Sequence, residues 1–274
     1  SFMMYKILKK IAKVFFNNTL KKINKLKDIH KNETCYIIGT GASIKEFDLK
    51  LFNDKPVIGI NEILFHKDFI NLNNKYLVFT EPYFFYPFFN KFIWKQNFFP
   101  LFTPTSKFIK SMAKNNQSIT FFFHISNIFF LRGKNIFFNF LKYPHADFPS
   151  KLNNMNCFAG GFTHALSLAV FLGFKKAILI GNDYTFNPPQ GRHFYEKGKG
   201  VNVDIENYHP KFLETIQNFI ELETITIEKN DTYLKSVEYK KYKKTNNNYK
   251  ENFELIDEEF FTALKNSRKG VYDF

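Results

Sequence analysis

Cysteine is nearly absent from this chain of 274 residues, which contains only Cys35 and Cys157. Both lie in apolar runs, so we expect buried free thiols, as in a reducing compartment, rather than a disulfide framework. No Cys/His spacing is typical of a zinc site, and no secretory signal is evident at the start of the sequence. The shortage of cysteine therefore argues against a small, disulfide-stapled secreted domain.

Acidic residues are also scarce, since 25 Asp and Glu stand against 39 Lys and Arg, for a formal net charge of +14. Such a balance is typical of proteins that bind nucleic acid, an anionic membrane or phosphorylated substrates. The abundance of Lys, Asn, Phe and Ile, whose codons are AT-rich, explains the same balance through genome composition. Only local clustering of charge can therefore support a functional argument.

One long run lacks charge entirely, the 18 residues 157–174, "CFAGGFTHALSLAVFLGF". This length is at the lower limit for a membrane span. The run opens on a glycine pair, contains Thr163, His164 and Ser167, and continues into a strand-like segment. It therefore predicts a buried helix of an α/β fold rather than a span.

Residues 4–27, "MYKILKKIAKVFFNNTLKKINKLK", place apolar residues at helical spacing and lysines on the other faces, with no acidic residue. The pattern predicts a basic amphipathic helix within an N-terminal unit, residues 1–33. Such a helix suits an anionic lipid surface, which would place the protein at the cytoplasmic face of the inner membrane. It is equally compatible with a helix docked on the domain with a solvated lysine face.

Strands alternate with helices through the rest of the chain, which predicts an α/β fold with a mostly parallel, Rossmann-like sheet. Strands are predicted at 35–38, 56–61, 75–80, 175–181 and 224–229, and helices at 160–173 and 210–221. The catalytic domain is expected to span 34–240. Residues 187–208 are rich in Pro, Gly and polar groups and predict a lid over a site. Residues 241–274 are expected to form a linker and a last helix.

The first strand ends in "IIGTGAS", which places Gly39 and Gly41 between a strand and a predicted helix. Glycine lets a ligand approach the backbone, and the free amides of a helix N-terminus favour an anion, so the turn predicts phosphate binding. It lacks the third glycine of a dinucleotide fingerprint and the Gly-Lys-Ser/Thr of a P-loop. The turn alone is therefore a weak signal.

Three further strand ends or helix starts carry small or polar residues. Asn61 ends the second strand, Gly160 and Gly161 precede a helix, and "KAILIGNDY" ends in Asp183 and Tyr184. In open α/β sheets, ligands bind beyond the carboxyl ends of the strands. Together with the first glycine turn, these residues predict one ligand crevice. Asn61 also has a plainer explanation as a helix N-cap.

The patterns "IIGTGAS", "GIN" and "AGGFTHALSLAVFLGFKKAILIGNDY" resemble those of bacterial family 42 sialyltransferases. They also resemble a wider group of flagellin-modification and archaeal pterin pyrophosphokinase-like proteins. The resemblance covers roughly residues 34–235. It implies a single-sheet fold of the GT-A-like kind and transfer of a sialic-acid-like sugar from a CMP-activated donor to a glycan of the capsule or lipooligosaccharide. It also implies that no metal or other cofactor is needed.

The same resemblance implies roles for individual residues. A histidine acts as the base, and this is either His209 in "NYHPKF" or His193 in "GRHFYE". Donor-binding positions are matched by Gly39, Thr40, Gly41, Ser43, Asn61, Gly160, Gly161, Thr163 and Asp183, and the phosphate-binding tyrosines by Tyr184, Tyr195 or Tyr208. Thr40 stands where the sialyltransferases usually have asparagine. The implied partners are the nucleotide-sugar donor and the glycan acceptor, and the sequence leaves association with a second copy of the chain open.

Two other functional classes stay open. A pyrophosphokinase or another phosphoryl transferase could use the same scaffold, but it would usually need Mg²⁺ and paired carboxylates. Asp183 is the only acidic residue in the predicted site, which weakens that alternative. A nucleic-acid-binding protein would fit the net charge, but no recognised binding motif supports it, so no nucleic acid is expected as partner.

Overall fold

A computed structural model describes residues 14–81, 85, 104–142, 157–158, 160–204, 209–229, 232–245 and 247–268. The strands are β1 (Thr34–Ile38), β2 (Val57–Ile60), β3 (Lys75–Phe79), β4 (Ile119–His124), β5 (Ile136–Asn139), β6 (Leu141–Lys142), β7 (Cys157–Phe158), β8 (Lys176–Ile180), β9 (Gln190–Gly191), β10 (Val201–Asn202), β11 (Glu221–Thr226) and β12 (Lys235–Glu238). The helices are α1 (Asn17–Lys21), α2 (Pro104–Asn115), α3 (Gly161–Leu172), α4 (His209–Ile216), α5 (Tyr239–Lys243), α6 (Asn252–Leu255) and α7 (Glu258–Arg268).

Eight strands form one sheet in the order β12-β11-β8-β1-β2-β3-β4-β5. Every neighbouring pair in it is parallel. The central strands read as continuous apolar runs because both of their faces are covered, as in β2, where all four residues are buried. This confirms the predicted α/β class and the parallel sheet.

Two buried clusters cover the two faces of the sheet. On one face, the residues of α3 pack with Ile37, Ile58 and Leu179. On the other face, Phe47 and Phe52 pack in one cluster with Phe121 and Phe123 of β4. Because the chain runs outward from β1 to β5 on one side and returns through β8 on the other, the strand order reverses between β1 and β8. That reversal is where open α/β sheets form a ligand crevice.

Several sequence predictions differ from the structure. The segment after the first glycine turn is a short 3-10 helix, Ala42–Glu46, and not the start of an α-helix. The predicted strand at 224–229 is β11, which begins three residues earlier. Strands β4, β5 and β12 were not predicted at all.

The described parts of the two chain ends also pack against the domain. After residue 240 the chain forms α5, α6 and α7, and Leu255, Ile256 and Leu264 lie in the core. At the N-terminus, the described part of the predicted helix is α1 followed by a 3-10 helix, Lys22–Leu26, and residues 1–13 lie outside the described part. Cys35 is a buried free thiol as predicted, whereas the Cys157 side chain is not described. Within the described residues, no helix combines the length and apolarity needed to cross a bilayer.

Candidate functional site

The first glycine turn lies at the reversal point and is paired with the end of β8. The Gly39 amide donates to the Ile180 carbonyl oxygen, and the Gly41 amide donates to the Gly181 carbonyl oxygen, both at 2.8 Å. A Cβ on Gly39 would overlap the Gly181 carbonyl oxygen, so only glycine permits this approach. The Gly39 and Gly41 amides, which the sequence predicts as phosphate-binding groups, therefore donate to carbonyl oxygens of the protein itself.

Asp183 closes the same turn from the β8 side. Its carboxylate accepts hydrogen bonds from the Ser43 amide at 2.8 Å and the Ser43 hydroxyl at 2.5 Å. Burial raises the pKa of Asp183 to about 6, since the two bonds from Ser43 favour the charged form but only partly offset the loss of water, and Glu46 opposes ionisation. Asp183 is therefore a buried carboxylate that titrates just below neutral pH.

Asn61 marks the end of β2 and adopts φ 47°, a left-handed conformation that asparagine tolerates better than most residues. Its side-chain oxygen accepts a hydrogen bond from the Thr80 amide at 3.2 Å, which ties the ends of β2 and β3 together. A Cβ on Gly161 would lie 2.5 Å from Ile60 Cγ2 and 3.1 Å from the side-chain nitrogen of Asn61. Glycine at 161 thus lets α3 begin directly against the end of β2.

The second glycine turn begins α3. Gly160 has φ 112°, which a side chain would strain, and its carbonyl oxygen accepts hydrogen bonds from the Thr163 hydroxyl at 3.1 Å and the His164 amide at 3.0 Å. The first amides of any α-helix lack intrahelical acceptors and carry the positive end of the helix dipole. This end of the twelve-residue α3 is therefore suited to an anion.

His164, one turn into α3, is a structural residue. It is fully buried, and its Nε2 lies 2.6 Å from the Asn139 side-chain nitrogen. Burial lowers the pKa of His164 to about 3, so the imidazole stays neutral at physiological pH.

The segment 187–204 folds back over the first glycine turn. Strands β9 and β10 pair antiparallel within it. His193 forms a β-bridge with Gly41, and its Nδ1 lies 2.9 Å from the Thr40 hydroxyl. The backbone amide of Phe194 donates to the Thr40 carbonyl oxygen at 2.9 Å. Arg192 adopts φ 72° and donates to the Lys197 carbonyl oxygen at 3.0 Å. These contacts hold Arg192 and His193 at the reversal point.

Together these elements enclose one cavity of about 270 Å³. Its walls are Gly39, Thr40, Gly41, Ile60, Asn61, Gly160, Gly161, Phe162, Thr163, Gly181, Asn182, Asp183, Tyr184, Gln190, Arg192 and His193. Among these residues, Arg192 is the only lysine or arginine and Asp183 is the only carboxylate. The cavity thus combines a helix N-terminus, a guanidinium, an imidazole and several small residues.

Most of the predicted site residues meet in this cavity. They are Gly39, Thr40, Gly41, Asn61, Gly160, Gly161, Thr163, Asp183, Tyr184 and His193. Ser43 lies behind Asp183 and lines a neighbouring cavity of about 190 Å³. Tyr195 is fully buried and stacks on the His193 ring at 4.9 Å, so it supports the wall from the core. Tyr208 and the side chain of His209 lie outside the described residues.

Three polar residues of the cavity were not predicted from the sequence: Arg192, Gln190 and Asn182. Arg192 and Gln190 lie in the segment predicted as a lid, and they line the cavity beside the β9–β10 pairing. Asn182 lies in the segment "KAILIGNDY" directly before Asp183, so its position at the end of β8 follows from the same pattern. Its side-chain amide donates to the carbonyl oxygens of Ile37 and Ile180 and joins β1 to β8, so part of its role is structural.

Comparison of the chain with protein-family models, with curated proteins and with solved structures gives no match. Within the described residues, no three His, Cys, Asp or Glu side chains are grouped as ligands of a metal ion.

Proposed function

We propose that this chain is a glycosyltransferase that moves a sialic-acid-like sugar from a CMP-activated donor to a hydroxyl group of a bacterial surface glycan. The observation that carries the proposal is the cavity at the β1/β8 reversal, where the start of α3, Arg192 and His193 come together. On this proposal the sheet is a Rossmann-like, GT-A-like variant, and segment 187–204 is part of its lid. The activity is proposed to be metal-independent.

The nucleotide phosphate is assigned to the space between the α3 N-terminus and Arg192. The amides of the first glycine turn are engaged with β8, so the second turn is the better source of donors in this cavity. A helix N-terminus and a guanidinium both favour a negatively charged group, and charge-assisted hydrogen bonds are the stronger class. The residues at the ends of β1 and β2 then shape the part of the cavity that receives the nucleoside.

Transfer breaks the bond between the anomeric carbon and the phosphate oxygen, and its electron pair leaves with CMP. The acceptor oxygen bonds to the anomeric carbon and gives its proton to a base, for which imidazole titrates in a suitable range. Two histidines are candidates for this base. His193 is supported by its place on the cavity wall, and His209 by the resemblance to the sialyltransferases. The donors around the leaving phosphate stabilise its developing charge.

Thermal stabilisation by nucleotides tests the substrate class. CMP should stabilise the protein without Mg²⁺, and more than UDP, GDP or ATP, because binding to the folded state raises its stability. Stabilisation by ATP that requires Mg²⁺ would instead support a phosphoryl transferase.

A variant of Arg192 tests the assignment of the phosphate. Arg192→Gln should weaken CMP binding tenfold to about a hundredfold and leave cytidine binding unchanged, since only CMP presents a charged phosphate. Lys197→Gln, an exposed neighbour, is the matched control.

Single-residue variants separate the two histidines. The variant that removes the base should lose turnover about a hundredfold or more while binding CMP as the original chain does. Turnover is measured with a CMP-activated sialic acid and a neutral glycan acceptor. If both His193→Ala and His209→Ala keep full turnover, neither histidine is the base.

A further inference from the structure

Exposed apolar side chains gather at the β5 edge of the sheet, far along the strand order from the β1/β8 cavity. Val14, Phe15 and Phe129 are 77%, 78% and 64% exposed. Large apolar groups exposed side by side with charge around them mark an interaction surface more often than isolated ones do. We call the surface formed by residues 14–27 and 128–134 the basic-aromatic face.

The two segments of the basic-aromatic face are held together by packing and hydrogen bonds. Strand β5 is the outermost strand of the sheet, and α1 with the following 3-10 helix packs along it. The Lys22 ammonium donates to the carbonyl oxygens of Gly133, Lys134 and Ile136 at 3.1, 3.1 and 3.2 Å. Phe16 contacts Phe129 edge to face at 5.6 Å. These contacts fix the two parts of the face side by side, with a shallow groove of about 570 Å³ between them.

The charge on this face has one sign. Lys21, Lys25, Lys27, Arg132 and Lys134 are exposed on it. Residues 14–27 and 119–142 contain no aspartate or glutamate. Elsewhere on this protein acidic residues are interspersed among the lysines: Asp54, Asp68 and Glu238 each pair with a lysine. A general excess of lysine would therefore not by itself explain a face without acidic residues. The face therefore complements an extended anionic surface.

We propose that the basic-aromatic face binds the anionic phospholipid surface of a membrane, with Val14, Phe15 and Phe129 entering the interfacial layer. A bilayer interface accepts both an aliphatic and an aromatic side chain and attracts the lysines around them. A nucleic acid would use the lysines and could stack on phenylalanine, but it gains nothing from an exposed valine beside it. The proposal is independent of the sugar-transfer chemistry.

Co-sedimentation of the whole chain with vesicles tests it, using phosphatidylcholine alone or mixed with phosphatidylglycerol. Binding is expected only to the mixed vesicles and should weaken with salt. Arg132→Glu together with Lys134→Glu should reduce this binding tenfold or more, since each charge near the surface contributes substantially. Phe15→Ser should reduce it about fivefold through lost apolar burial.

Matched variants elsewhere on the surface supply the controls. Lys107→Glu together with Lys110→Glu changes the net charge equally on α2, and Phe253→Ser removes a phenylalanine that is 61% exposed. Both should bind the mixed vesicles as the original chain does. Equal losses in control and test variants, or no preference for phosphatidylglycerol, would overturn the proposal. It is also overturned if the chain ignores vesicles but binds a duplex oligonucleotide through Arg132 and Lys134.

Discussion

The two glycine turns of the site look alike in sequence and differ in what they offer a ligand. In the first turn, Gly39 and Gly41 donate their amides to β8, and the Ser43 amide donates to Asp183. In the second turn, Gly160 and Gly161 begin a twelve-residue helix whose N-terminal turn lines the cavity. The first turn is therefore mainly a structural joint between β1, β8 and segment 187–204, and the second supplies the anion-binding end of a helix.

The difference shows what a glycine pair after a strand does and does not indicate. Glycine indicates that another group lies close to the backbone, but this group can belong to a neighbouring strand as well as to a bound phosphate. At Gly39 the neighbour is the Gly181 carbonyl, and at Gly41 it is the Asp183 carboxylate. At Gly160 the nearest group is the Thr163 hydroxyl at 3.3 Å, and the requirement is the positive φ.

Alanine at each turn tests the comparison most strongly. Gly39→Ala should lower the free energy of unfolding by about 3 kcal/mol or more, because its Cβ meets a backbone carbonyl that cannot move without separating β1 from β8. Gly160→Ala should cost only about 1–2 kcal/mol of backbone strain, yet should weaken CMP binding about tenfold by disturbing the start of α3. Urea unfolding and nucleotide titration measure the two effects. If the effects of the two variants are exchanged, the assignment of the turns is wrong.

A second test concerns the carboxylate that holds the first turn. Burial raises the pKa of Asp183 from 3.8 to about 6, so the folded chain keeps this proton between these pH values while the unfolded chain has released it. Stability from this group is therefore present below pH 3.8 and lost as pH rises to 6. Relative to Asp183→Asn, the free energy of unfolding of the original chain should fall by about 2 kcal/mol between pH 4 and pH 7.

Urea unfolding of both chains across this pH range gives the difference directly. Ser43→Ala is a useful companion variant, because it removes a hydrogen bond that favours the ionised carboxylate. It should therefore raise the pKa of Asp183 further, so that the loss of stability still begins near pH 3.8 but continues to higher pH and becomes larger. A parallel pH dependence in the original chain and in Asp183→Asn would show that the carboxylate is not the titrating group.

The sequence predicted the location of the site better than its inner connections. Parallel strands bring their carboxyl ends to one edge, so Gly39, Asn61 and Asp183 could be expected to meet from their order along the chain alone. Whether a backbone amide at the end of a strand can donate to a ligand depends on which other strand lies beside it. The local sequence pattern does not encode that neighbour. The burial of Tyr195 and the entry of Arg192 into the cavity depend on the path of segment 187–204 in the same way.

The phenylalanine-rich strands show a second limit of the sequence. In β4 and β5, aromatic residues occupy both faces, so no alternation separates a strand from a buried helix. Their pairing in the sheet decides the structure, because β4 pairs with β3, which is distant in the sequence, and β5 pairs with β4.

The smallest expected effect comes from Lys45, which shares the 3-10 helix of the first turn with Ser43. Its buried ammonium donates to the carbonyl oxygens of Glu196 and Gly198 and so ties segment 187–204 to this turn. Burial lowers the pKa of Lys45 to about 8, which indicates that its desolvation offsets much of what these hydrogen bonds contribute. Lys45→Met should therefore change the free energy of unfolding by less than about 1 kcal/mol.

Local opening should nevertheless increase in Lys45→Met, because the segment loses its attachment while the core stays filled. The amides of Phe194 and Glu196, which donate to Thr40 and His193, report this opening by faster hydrogen exchange. The control is Lys50→Met, in the following 3-10 helix, Leu49–Phe52, where the lysine side chain is 66% exposed. It should leave the exchange of these two amides unchanged. Unaltered exchange in Lys45→Met, or a loss of several kcal/mol in global stability, would show that Lys45 supports the core of the first turn rather than the segment above it.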